Sequence, residues 1–139
     1  MLECLIMGDS IAYGLHQVKP ECVWYAKSGI NSRNWVNQNI TRSPYRARSV
    51  IVSLGSNDYR GIKTEEELQT VRRLTEAEHV YWILPAIKPD IQAIVKKVAA
   101  EHGDTVVPIR ILSSDGVHPT YNGYKQLAKD TVPEMEKKQ

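Results

Sequence analysis

Short apolar runs that alternate with helical patterns constrain this chain more than any other feature. The runs span residues 2–7, 22–26, 49–54, 79–84 and 105–109. Val50, Ile51 and Val52, and the stretch from Val80 to Leu84, are nearly continuous in apolar residues, as expected of parallel strands covered on both faces. Between them lie helix signals. Thr64 and Glu67 have capping-box spacing, with Leu68, Val71 and Leu74 following on one face. Pro89 stands where a helix would begin, Ile91, Ile94, Val95 and Val98 form its stripe, and Gly103 ends it. Trp35, Val36 and Ile40 suggest a helix after Asn31, and a short helical turn fits after Ser10. A last helix is expected from about Pro119, with Tyr121, Tyr124, Leu127 and Ala128 facing inward. Strands and helices in strict alternation imply right-handed crossovers. The expected fold class is α/β, a three-layer α/β/α sandwich. Its five-stranded parallel sheet would take the flavodoxin-like order 2-1-3-4-5. With 139 residues and no linker or repeat, the chain reads as one domain, 1–139.

Bulk properties exclude several function classes. A formal net charge of +2 argues against nucleic acid or an anionic membrane surface as partner. No apolar run approaches the roughly 20 residues of a membrane span. Residues 2–7 also lack the length and basic flank of a signal peptide. A cytoplasmic protein is expected, or a secreted one whose signal was removed before residue 1. Cys4 and Cys22 have neither CxxC spacing nor neighbouring histidines. Small buried core thiols are expected rather than a disulfide. His16, His79 and His102 lack ligand spacing, and no glycine-rich nucleotide motif occurs, so neither metal nor cofactor is expected. Arg42, Arg46 and Arg48, just before the third run, read as a solvated basic face.

Four motifs follow strand runs, and in a parallel sheet ligands bind beyond the carboxyl ends of the strands. Gly8-Asp9-Ser10 follows the first run and Ser28-Gly29-Ile30-Asn31 the second. Gly55-Ser56-Asn57-Asp58 follows the third, and Asp115-Gly116-Val117-His118-Pro119 the fifth. This order supplies a serine nucleophile, Ser10, at a strand-to-helix turn. His118 would be its general base, with Asp115 holding the other imidazole nitrogen. The Ser10 N–H, the Gly29 N–H and the Asn57 side-chain amide would form an oxyanion hole. Each motif alone has a plainer reading. Ser10 could be a helix cap, Ser28-Gly29 and Ser56-Asn57-Asp58 turns, and His118-Pro119 a helix start. Candidate substrate contacts are Asp9, Tyr13, Tyr59, Arg60 and Val117. Trp35 borders the pocket or packs in the core. Lys27, Arg33, Arg60, Lys63 and Arg110 lie on loops of the same edge and read first as surface charges.

These blocks resemble the GDSL-type, or SGNH, hydrolases, which carry Ser in a GDS block, then Gly, then Asn in GxND, then DxxHP. The corresponding residues are Ser10, Gly29, Asn57, Asp115 and His118, and the blocks run from Gly8 to Pro119. Ile11 replaces the family's usual Leu, and the second block is reduced to Gly29. The resemblance implies a serine esterase that cleaves short-chain acyl esters through an acyl-enzyme, without metal or cofactor. A small-molecule or carbohydrate ester is the expected substrate, an O-acetylated sugar first. Lysophospholipase or thioesterase activity is the alternative within the class. A flavodoxin-like sugar- or phosphate-binding module without turnover is the alternative outside it.

Overall fold

The computed structural model describes residues 1–133; residues 134–139 of the expected domain lie outside them. Strands β1 (Leu2–Gly8), β2 (Val23–Ala26), β3 (Tyr45–Ser53), β4 (Thr75–Leu84) and β5 (Thr105–Pro108) pair in parallel, in the order β2-β1-β3-β4-β5. The expected order is the observed one. Helices α1 (Ser10–Val18) and α5 (Tyr121–Asp130) cover one face. Helices α2 (Ser32–Asn39), α3 (Thr64–Arg73) and α4 (Pro89–His102) cover the other.

Strand side chains alternate between two cores, as the pleat requires. Leu5, Met7, Val50, Val52 and Trp82 pack against Trp35, Leu68, Val71, Val95 and Val98. Cys4, Ile6, Ile51, Tyr81 and Ile83 pack against Ile11, Leu15 and Leu127. No helix among the described residues is long and apolar enough to cross a membrane.

Several local expectations need correction. β3 and β4 start earlier than the apolar runs, at Tyr45 and Thr75. Their first halves alternate buried and exposed residues, because one face there is open to solvent. That open face carries Arg46 and Arg48, which are therefore strand residues. Arg46 pairs with Glu76 at 2.7 Å, and Arg48 with Glu78 and Glu3 at 3.4 Å. Arg46 and Arg48 form a solvent-exposed mixed-charge ladder, as a solvated face would, while Arg42 lies over the Tyr25 ring at 4.7 Å.

The helix ends also differ. Thr64 forms no capping box. Its hydroxyl donates instead to the buried Asp58 carboxyl group at 2.7 Å. Helix α5 starts at Tyr121, capped by Thr120, whose Oγ1 accepts from the Gly123 N–H at 3.1 Å. Pro119 stays outside it, bridged to Leu112, and Tyr121 points outward at 66% exposure. The turn after Ser10 is a full helix of nine residues.

Cys4 and Cys22 are buried as expected, but they form a disulfide. β1 and β2 are neighbours with Leu5 opposite Val23, so the two preceding residues sit side by side, Cα atoms 4.8 Å apart. That lies within the reach of a disulfide.

Candidate active site

Gly8 ends β1 beside Ser53 of β3, and a Cβ on Gly8 would lie 1.9 Å from the Ser53 carbonyl oxygen. Only glycine permits this approach. The next residue, Asp9, turns the chain into α1. Its N–H donates to the Ser53 carbonyl at 3.0 Å. Its Oδ1 accepts from the Ile11 N–H and the Ser53 hydroxyl, both at 3.0 Å. Asp9 is fully buried, so it does not face a substrate as expected; it is the cap that aims Ser10. Its Oδ2 is buried without a hydrogen-bond partner among the described residues. Burial pushes its carboxyl up to about 6, against the lowering effect of the Ser53 and Ile11 hydrogen bonds.

On the other side of the site, residues 111–120 form a tight hairpin-like loop. The Ser113 N–H donates to the His118 carbonyl at 2.8 Å and the Thr120 N–H to Ile111 at 3.2 Å. Within it, Asp115 Oδ1 accepts from the Ser113 hydroxyl at 2.8 Å, the Val117 N–H at 2.8 Å and the His118 N–H at 2.9 Å. Asp115 Oδ2 lies 2.7 Å from His118 Nδ1. Led by the His118 and Val117 backbone donors, these hydrogen bonds hold the Asp115 carboxyl well below the usual carboxylate range. His118 Nε2 lies 2.8 Å from Ser10 Oγ, across 108 residues of sequence. A neutral imidazole protonated on Nδ1 satisfies both contacts, donating to Asp115 and accepting from the Ser10 hydroxyl.

The glycine and asparagine loops meet as well. Gly29 has φ +80, exposed and with open space where a Cβ would stand. Asn31 caps α2, its Oδ1 accepting from the Asn34 N–H at 2.8 Å. Asn57 Nδ2 donates to the Ile30 carbonyl at 3.1 Å, tying the two loops together. Beneath them Asp58, 2% exposed, accepts from the Ser32 N–H at 2.8 Å and from the Ser32 and Thr64 hydroxyls at 2.6 and 2.7 Å. One buried carboxylate thus joins the starts of α2 and α3. Sequence reasoning quoted Asp58 within its motif but assigned it no role. Ser53 and Ser113 were missed, since short-range patterns mark neither.

The remaining candidates take no part in the hydrogen bonds that join the Ser10, His118 and Asp115 side chains. Tyr13 is 39% exposed and packs edge-on against Trp24 and His16. Tyr59 is exposed, and its hydroxyl accepts from Arg33 Nη2 at 3.0 Å. Arg60 is exposed, and Val117 is half-buried within the Asp115 loop. Trp35 is a core residue, 1% exposed, donating to the Tyr25 carbonyl at 2.9 Å. A groove of about 800 Å³ lies elsewhere, along α3 and α4, lined by Thr64, Glu66, Gln69, Arg73 and Ile94 among others. The His118 and Asp115 side chains are 42% and 49% exposed, so this pair sits on an open surface.

No family model and no curated protein matches the sequence. Solved structures do match. A GDSL-like lipase from Bacteroides thetaiotaomicron is 17% identical over 94% of this chain and 89% of its own, with a TM-score of 0.64. An acylhydrolase from Bacteroides fragilis, described as putative, is 19% identical over 91% of this chain and 83% of its own, with a TM-score of 0.64. The fold is that of the GDSL-like hydrolases. The C-terminal catalytic domain of a Streptococcus pneumoniae peptidoglycan O-acetyltransferase shares it, at 16% identity over 94% of this chain and 96% of its own, with a TM-score of 0.56. At such identities the likeness is one of fold, and function has to be argued from the site.

Proposed function

We propose that this protein is a serine ester hydrolase acting on short acyl esters through an acyl-enzyme. One observation carries the reading: the Ser10–His118–Asp115 chain, with contacts of 2.8 and 2.7 Å. Ser10 Oγ attacks the ester carbonyl while its proton passes to His118 Nε2. The negative charge on the tetrahedral intermediate is taken by the Ser10 and Gly29 N–H groups and the Asn57 amide. His118 then protonates the leaving alkoxide, which departs and leaves the acyl group on Ser10. Water, deprotonated by His118, attacks that acyl group and releases the acid and free Ser10. Asp115 keeps the imidazole in the required tautomer throughout. No step needs a metal or cofactor.

The open surface around His118 favours a small acyl group on a bulky alcohol. An O-acetylated carbohydrate fits that description, and the acetyltransferase likeness in fold supports an acetyl group. Hydrolysis of p-nitrophenyl acetate, abolished by a fluorophosphonate that adds its mass to Ser10, is the expected result. Failure to hydrolyse any p-nitrophenyl ester or acetylated sugar, with no labelling of Ser10, would leave the non-catalytic binding module as the better reading. Turnover of lysophospholipids or acyl thioesters in preference to acetyl esters would move the substrate assignment and leave the mechanism intact.

A further inference from the structure

We propose that Lys88 is a positioning residue for the oxyanion donor Asn57, acting through the two carbonyls that flank it. The inference rests on the hydrolase reading above. Lys88 belongs to the loop between β4 and α4, outside every motif. Its Nζ donates to the Ser56 carbonyl at 2.8 Å and to the Asp58 carbonyl at 2.7 Å. Those residues bracket Asn57. The same turn is closed by the Asp58 N–H donating to the Gly55 carbonyl at 3.0 Å. An ammonium bonded to both carbonyls fixes the Ser56–Asn57 and Asp58–Tyr59 peptide planes, the Asp58 N–H bond to Gly55 fixes the Asn57–Asp58 plane between them, and together they set the direction of the Asn57 side chain. Charge-assisted hydrogen bonds are the strong kind.

Asn57 needs this control because its amide does two things. Nδ2 carries two hydrogens, and one is directed at the Ile30 carbonyl at 3.1 Å. The second is the one an oxyanion would use, and a small rotation of residue 57 would misdirect it. The Lys88 loop is itself held hard against the turn. Gln92 Nε2 donates to the Pro85 carbonyl at 2.8 Å, and a Cβ on Gly55 would come within 2.6 Å of Ile91 Cγ2. Lys88 is the one non-glycine residue with positive φ among the described residues, at φ 64 and ψ 82, and it precedes Pro89. A residue before proline ordinarily lies extended, and a left-handed side-chain-bearing residue persists only where its surroundings hold it there. Here the two carbonyl bonds and the packed start of α4 provide that hold.

A double-mutant cycle with Asn57 separates positioning from plain support of the fold. Lys88→Met should lower kcat on p-nitrophenyl acetate roughly tenfold and leave KM within about twofold, as expected for a misaimed oxyanion donor. In an Asn57→Ala background the same change should cost less than about twofold, because there is no donor left to misaim. Lys88→Arg, which keeps a cation over both carbonyls, should recover most of the activity. A Lys88→Met loss equally large without Asn57, or one confined to KM, would overturn the proposal. A second measurement does not depend on turnover. The Asn57 side-chain amide pair in a ¹H–¹⁵N spectrum, assigned by its absence in Asn57→Ala, should shift and broaden in Lys88→Met, while that of Asn39 stays put. An unchanged Asn57 pair would refute the proposal even if the wild type hydrolysed no ester. Should Lys88→Met not fold, Lys88→Gln takes its place in both measurements.

Discussion

Asp115 does two jobs with one carboxylate. Oδ1 gathers the Ser113 hydroxyl and the Val117 and His118 N–H groups, and Oδ2 orients the imidazole. Losing it should therefore loosen the loop as well as the tautomer. Ser10→Ala and His118→Ala are each expected to reduce kcat roughly a thousandfold or more, and the double variant should be little worse than either. Additive losses would rule out a shared proton. Asp115→Ala should retain more activity than His118→Ala, because the Leu112–Pro119 bridge still holds the loop ends; a loss equal to that of His118→Ala would contradict this. Asn57→Ala should cost about 2.7–4 kcal/mol of transition-state stabilisation, chiefly in kcat, as for other single oxyanion donors. If the whole effect fell on KM, Asn57 would be a ground-state contact instead.

At the scale of elements, the sheet separates support from chemistry. The candidate catalytic residues cluster at the carboxyl ends of the strands. The Cys4–Cys22 disulfide ties β1 to the start of β2 at the amino ends. It closes a loop of 18 residues, and a loop of that length limits the unfolded chain by about 3 kcal/mol in the chain-entropy view. The Cys4→Ser/Cys22→Ser pair should lose about that much stability in urea titrations while keeping its kcat. A reductant should lower the wild-type midpoint and leave the double variant unmoved. An unchanged midpoint in both would show that the disulfide contributes nothing. Helix α1 shows a further division of labour. Its cap, Asp9, is buried to the point of leaving Oδ2 without a hydrogen-bond partner among the described residues, and that same cap sets the direction of Ser10.

The whole molecule inherits a pH dependence from that cap. The unfolded chain keeps Asp9 near its ordinary 3.8, whereas burial lifts the folded carboxyl to about 6. The folded state binds this proton more tightly. Its contribution to stability is complete below about pH 4 and is lost as pH rises to about 6, a fall on the order of 3 kcal/mol. Asp115 acts with the opposite sign and in a different window: its lowered carboxyl favours the folded state above its ordinary range and ceases to do so below it. Urea unfolding of the wild type and Asp9→Asn between pH 4 and 7 isolates the Asp9 effect. Parallel curves for the two proteins would refute it. The open site makes a second molecular-scale prediction. A long acyl chain gains about 0.8 kcal/mol per methylene only if the methylenes are buried. The short loops around Ser10 leave little to bury them, so C2 and C4 esters should show the highest kcat/KM. A tenfold preference for C8 to C12 chains would be incompatible with this.

Local chemistry already determined much of this protein. The doubly wound parallel sheet follows from β-rich apolar runs alternating with helical stripes, because parallel strands need covered faces and right-handed crossovers, and 2-1-3-4-5 is the common order for five such strands. The helix after Asn31 and the one from Pro89 to Gly103 were legible because caps, proline and glycine act within a few residues. The order of the four motifs, all at one sheet edge, pointed to Ser10, Asn57, Asp115 and His118. What escaped the sequence depends on residues far apart in the chain. Cys4 and Cys22 bond because β1 and β2 pair in one particular register. Thr64 abandons its own helix for Asp58 because that carboxylate is buried within reach. Arg46 and Arg48 join β3 because their partners lie on β1 and β4. Asp9, read as a substrate contact, became a buried cap once β3 brought Ser53 against it. Lys88 reaches the Ser56 and Asp58 carbonyls because α4 packs its first turn against Gly55. Periodicity and capping are short-range and can be read along the chain; register, burial and buried-charge pairing arise only when the strands are side by side.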